Sequence, residues 1–148
     1  MLFMQYKKRN MKNLFILLVT AVFLTSCSNY GKKVKKGTVE VYYKEGIGEN
    51  EANRTAALLY EIDSAQNHNT KDVRSMQLLP GKDTVTFRMV ANKDKLDGVG
   101  DIAFQVIGTI ISDSAFNGKP VNVELTDNTF NTIKKIPYKK IDLNNLTE

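Results

Sequence analysis

The chain predicts an α+β domain, a ferredoxin-like split βαβ arrangement of order β-α-β-β-α-β with one extra C-terminal strand. Three observations carry that expectation. Five short runs rich in β-branched and aromatic residues follow Gly37, two stretches of helical period separate them, and a tight-turn sequence, Pro80-Gly81-Lys82-Asp83, joins the middle pair. Right-handed crossovers would then place both helices on one face of an antiparallel sheet, giving a two-layer sandwich.

The first strand is Thr38-Val39-Glu40-Val41-Tyr42-Tyr43-Lys44, with Val39, Val41 and Tyr43 on one face and Thr38, Glu40 and Tyr42 on the other. Gly46-Ile47-Gly48 ends it. Glu49 and Glu51 then put carboxylates where a helix dipole favours them, and Ala52, Ala56, Leu59 and Ile62 recur at helical spacing. Asn67-His68-Asn69-Thr70 is a loop. Residues 73–79 form the next strand, paired through the Pro80 turn with residues 84–90 as an antiparallel hairpin.

After a polar loop over residues 91–100, Ile102, Ala103, Val106, Ile107, Ile110 and Ile111 make the broad apolar face of a second helix. Gly108 in its middle costs about 1 kcal/mol against alanine, so it predicts close approach of that helix to the sheet. Asn117-Gly118-Lys119-Pro120 stops the helix, residues 120–125 alternate as a strand, Asp127-Asn128 turns, and residues 130–136 are the last strand. The helix exits, Ile62-Asp63-Ser64-Ala65 and Ser112-Asp113-Ser114-Ala115, echo each other as two β-α-β units in tandem would.

Ahead of the domain, Leu14 to Leu24 is an apolar run with Thr20 its one polar residue, preceded by Lys7, Lys8, Arg9 and Lys12. Its length suits the h-region of a signal peptide and falls short of the roughly 20 residues of a membrane span. Leu24-Thr25-Ser26-Cys27 resembles the lipobox of bacterial lipoproteins, in which the cysteine receives diacylglycerol and becomes the mature N-terminus. The resemblance implies lipidation of Cys27 and stable anchoring by two or three acyl chains. Ser28, rather than an aspartate, resembles the pattern sorted to the outer membrane, facing the periplasm. The expected organisation is a removed leader at 1–26, an acylated cysteine and basic tether at 27–36, the α+β domain at 37–137 and a polar tail at 138–148.

A further likeness lies in Tyr42-Tyr43-Lys44-Glu45-Gly46-Ile47, Glu51-Ala52, Asp127 and the run from Phe116 through Pro120 to Leu125. Together these resemble an uncharacterised domain found near the C-termini of bacterial lipoproteins and membrane-associated proteins. The likeness spans about residues 37–136. It implies the α+β fold and a membrane context and transfers no catalytic residue.

Charge excludes one class of partner. The net charge of +5 suggests nucleic acid, but four of the 21 basic residues lie in the leader, which leaves 17 against 16 acidic. Lys32, Lys33, Lys35 and Lys36 sit in the tether, so from Gly37 onward 13 basic residues face 16 acidic ones, too few for a phosphate-binding footprint. The four lysines either extend the tether by self-repulsion or lie against anionic headgroups.

Catalytic chemistry is sparse. His68 is the sole histidine and Cys27 the sole cysteine, so neither a Ser-His-Asp triad nor a zinc site assembles readily, and no metal or cofactor is expected. Gly98-Val99-Gly100-Asp101-Ile102-Ala103 matches a relaxed dinucleotide fingerprint, but it stands eight residues past Val90 and sets a carboxylate where phosphate would bind. Asp94, Asp97 and Asp101 lack the spacing of a calcium loop.

What remains is the sheet face opposite the helices, where alternation gathers Glu40, Tyr42, Thr86, Arg88, Asn122 and Glu124. That face is either solvated and laced with cross-strand ion pairs or a recognition surface. The expectation is a lipid-anchored, non-catalytic binding module of the cell envelope with a protein, peptide or glycan partner. An envelope enzyme using Asp or Glu with Ser and a purely structural subunit are the alternatives.

Overall fold

The computed structural model describes residues 30–66, 71–96 and 98–146. The leader, Cys27, His68 and Asp97 lie outside them. In chain order the elements are β1 (Lys32–Lys36), β2 (Val39–Tyr43), α1 (Glu49–Ala65), β3 (Arg74–Pro80), β4 (Val85–Val90), α2 (Asp101–Ala115), β5 (Val121–Thr126) and β6 (Thr132–Ile136).

The class is α+β, with one six-stranded sheet and two helices packed against it. The sheet is mixed rather than antiparallel. Its strands lie in chain order, β1 to β6, with β2 parallel to β3, β4 parallel to β5 and the other three pairs antiparallel. The split arrangement would insert a strand between β2 and β3, yet these two pair directly, Val39 with Arg74 through to Tyr43 with Leu78. Both arrangements bury the same alternating side chains. Here the β3–β4 hairpin takes the centre, where Leu78 and Phe87 are fully buried.

This order has a geometric consequence. Helices α1 and α2 share one face, where they touch each other, and both crossovers step the same way across the sheet although β2 and β3 run opposite to β4 and β5. The two crossovers are therefore of opposite hand, and one has the rare left hand.

The segment read as a tether is a strand. Gly37, at φ +55, opens a two-residue turn with Thr38 that folds Lys32–Lys36 back on β2, Lys36 against Val39 and Lys32 against Tyr43. Val34 packs against the core from this strand. The C-terminal segment is also tied down. Thr109 Oγ1 donates to the Lys139 carbonyl (3.4 Å) and accepts from Ile141 N–H (3.1 Å), fastening residues 139–141 to α2.

Local chemistry accounts for the helices. Gly48 N–H donates to Glu51 Oε2 at 2.8 Å, satisfying an otherwise orphaned donor at the start of α1. Buried Thr55 turns its hydroxyl onto the Glu51 carbonyl at 2.9 Å, and Arg54 Nη2 donates to the Ala115 carbonyl at 2.6 Å, stitching α1 to the end of α2. A Cβ added to Gly108 would lie 2.8 Å from the Val121 carbonyl oxygen, which explains a glycine in mid-helix. Among the described residues the buried core runs from Val39 to Ile136.

Candidate functional site

The strand registers align six side chains in one row across the sheet: Lys33, Tyr42, Gln77, Arg88, Glu124 and Lys135. They occupy the face away from the helices, because their neighbours Val41, Met76, Phe87 and Val123 point into the core. Glu40, opposite Lys35, joins the face on one side of the row, and Thr86, opposite Asn122, on the other. All six residues predicted for this face are on it.

They do not stand in open water. Arg88 Nε donates to Glu124 Oε2 at 2.8 Å and its Nη1 to Gln77 Oε1 at 3.3 Å, while Thr132 Oγ1 donates to the same Glu124 oxygen at 3.0 Å. Lys135 Nζ lies 3.8 Å from Glu124 Oε1. At the other end, Lys33 Nζ is 3.1 Å and Lys35 Nζ 3.6 Å from Glu40 Oε1. Burial pushes the Glu40 carboxyl up, but the Lys33 hydrogen bond and the charges of Lys33 and Lys35 outweigh it and lower its pKa. The hydrogen bond to Glu40 raises Lys33 in return.

An aromatic triangle covers part of the row. Tyr30, Tyr42 and Phe130 meet edge to face, with ring centroids 5.3–6.1 Å apart. Gln77 Nε2 donates to the Tyr30 carbonyl at 2.9 Å, so the chain entering β1 lies on this face. Asn122 accepts from Tyr138 N–H at 2.9 Å, holding the segment after β6. A shallow cleft of about 300 Å³ runs between Thr86, Asn122, Lys135 and Pro137.

Sequence reasoning missed Gln77, Tyr30 and Phe130. Alternation with Met76 and Leu78 marks Gln77, whereas no local pattern brings Tyr30 to Phe130. Phe130, expected in the last strand, lies before β6 at φ +61. Asp127 holds that loop: its Oδ1 accepts from Thr129 N–H (2.8 Å), Thr129 Oγ1 (2.7 Å) and Asn131 N–H (2.9 Å). Hydrogen bonds from the Thr129 hydroxyl, then from the Asn131 backbone, hold the Asp127 carboxyl down at about 2, from an ordinary 3.8.

A folded-state pKa below the unfolded one means that the ionised carboxylate stabilises the loop above about pH 4, a contribution lost as pH falls through about 2. Proton titration of Asp127 by nuclear magnetic resonance should give a midpoint near 2, and Asp127→Asn should remove this acid-sensitive step. A midpoint near 3.8 would refute the loop geometry.

Among the described residues no cluster of three or more His, Cys, Asp or Glu side chains is placed to hold a metal, and no helix is long and apolar enough to cross a membrane. Asp101 pairs with Lys134 at 2.6 Å, and Asn92 caps the short turn around Asp94.

Fold and face together define a small α+β domain with an ion-paired sheet surface. Residues 33–137 match the model of an uncharacterised protein family, described as a family N-terminal domain, and the chain belongs to that family. No curated protein and no solved structure matches it.

Proposed function

We propose that the protein is a lipid-anchored domain of the cell envelope, acylated on Cys27, that works by binding rather than by catalysis. Supporting the anchor are the apolar run at Leu14 to Leu24 and the Leu24-Thr25-Ser26-Cys27 sequence. Ser28 favours the outer membrane and its periplasmic side.

The observation that carries the binding reading is the state of the two carboxylates on the sheet face. Glu40 and Glu124 are each occupied by two cations. Against its burial, Lys33 and Lys35 lower the pKa of Glu40, which makes that carboxyl a poor general acid, because efficient proton transfer needs a pKa near the working pH. A surface of fixed, paired charges suits docking. An envelope protein, peptide or glycan is the partner class expected of such a module.

In cells, Cys27→Ala should abolish metabolic labelling by fatty acid and move the protein from the membrane fraction to the soluble one. Unchanged labelling would refute the anchor.

A further inference from the structure

The charges on the sheet face are separated in depth. Glu40 and Glu124 lie low, their side chains 13% and 12% exposed, while the lysines around them reach outward: Lys33 at 43%, Lys35 at 52% and Lys135 at 75%. Each carboxylate is shared by two cations, Lys33 with Lys35 and Arg88 with Lys135, so each cluster keeps one positive charge in surplus. The domain as a whole is mildly acidic from Gly37 onward, yet this face turns ammonium groups to the solvent and its carboxylates inward. Lys32 and Lys36, exposed on β1, alternate with Lys33 and Lys35 and belong to the other side of the same strand.

The chain leaves the domain on this same side. The Tyr30 carbonyl is held by Gln77 and the Tyr30 ring by Tyr42 and Phe130. Cys27 is three residues away, a reach of at most about 11 Å. Tyr30 is 38% exposed, and tyrosine is a residue that settles at the boundary between headgroups and water.

We infer that the lysine-bearing sheet face docks on the anionic headgroups of the membrane to which the chain is tethered. The choice of lipid over an acidic protein rests on the proposed acylation of Cys27, because a tether this short holds the face beside the bilayer at high effective concentration. The ammonium groups of Lys33, Lys35 and Lys135 meet phosphate oxygens, and Glu40 and Glu124 fix where they stand on the face.

The test uses the chain from Ser28 onward, which holds the buried core of the described residues and lacks Cys27. It should sediment with phosphatidylcholine vesicles containing phosphatidylglycerol, release at high salt and leave pure phosphatidylcholine unbound. Each lysine removed from the face should weaken binding about fivefold, so Lys33→Gln, Lys35→Gln and Lys135→Gln together should weaken it about a hundredfold. The triple variant Lys119→Gln, Lys139→Gln and Lys140→Gln removes the same charge from elsewhere and should bind as the parent does.

Lys135→Gln alone touches a single long ion pair, so a fivefold loss there is readable without concern for folding. Equal losses in the two triple variants, binding to neutral vesicles or no binding would overturn the inference. Capture of an acidic envelope protein through these lysines, without vesicle binding, would do the same. Acylation is read on the full chain and vesicle binding on the unanchored one, so either reading can fail alone.

Discussion

Phe87→Ala should lower the stability of the domain by about 3–5 kcal/mol, the largest effect expected of any single core truncation here. The ring is fully buried at the middle of the sheet, flanked in register by Leu78 on β3 and Val123 on β5, both on the helix side. Removing it leaves a cavity that two neighbouring strands and the helix layer cannot all collapse to fill. A domain of this size is stable by about 5–15 kcal/mol, so the loss is a large fraction of the whole. In urea the midpoint should fall with little change in the slope of the transition. Ile102→Ala is the matched control: Ile102 is 62% exposed on α2, and its truncation should cost under about 0.5 kcal/mol. Equal shifts in the two variants would refute the packing described for Phe87.

Glu124→Ala should be the costliest change on the polar face, about 2–3 kcal/mol. The carboxylate accepts from Arg88 and Thr132 and faces Lys135, and its removal leaves the Arg88 guanidinium, a partly buried charge, with the Gln77 side chain alone. Losing one partner of such a pair costs chiefly through the charge left behind. The figure is set below that of a fully buried pair because the Arg88 side chain is 23% exposed. Glu124→Gln keeps the shape and one acceptor and should cost less, and Arg88→Met combined with Glu124→Ala should recover part of the loss. Thermal unfolding of these variants and of Arg88→Met alone measures this directly, and additive losses would show that the two side chains do not interact.

Most of the local structure was legible in the sequence. The strands at Val39–Tyr43, Val85–Val90 and Val121–Thr126 follow from period-two alternation, and Glu49–Ala65 and Asp101–Ala115 from helical spacing above acidic first turns. Strand order was not legible. The split and the sequential arrangements bury identical residues, and the handedness rule favours the one that the protein does not adopt. The lysine strand was hidden for a different reason. Four like charges in five residues read as a solvated segment, and it takes the pairing of Lys33 and Lys35 with Glu40, together with Val34 on the core, to explain why they sit in a sheet.

The face itself followed from alternation, but not its covering. Tyr30 and Phe130 reach it from a segment before β1 and a loop held by Asp127, and both contacts depend on tertiary structure.

The sheet ends in lysine on both sides, at Lys32, Lys33, Lys35 and Lys36 of β1 and at Lys134 and Lys135 of β6. A second copy approaching edge to edge, in any of the possible pairings, must bring ammonium groups together along the hydrogen-bonding direction. Open strand edges are the usual templates for aggregation, and edge lysines are one of the ways in which proteins block it. Crowding many copies into a small volume therefore raises the electrostatic cost of continuing the sheet from one molecule into the next.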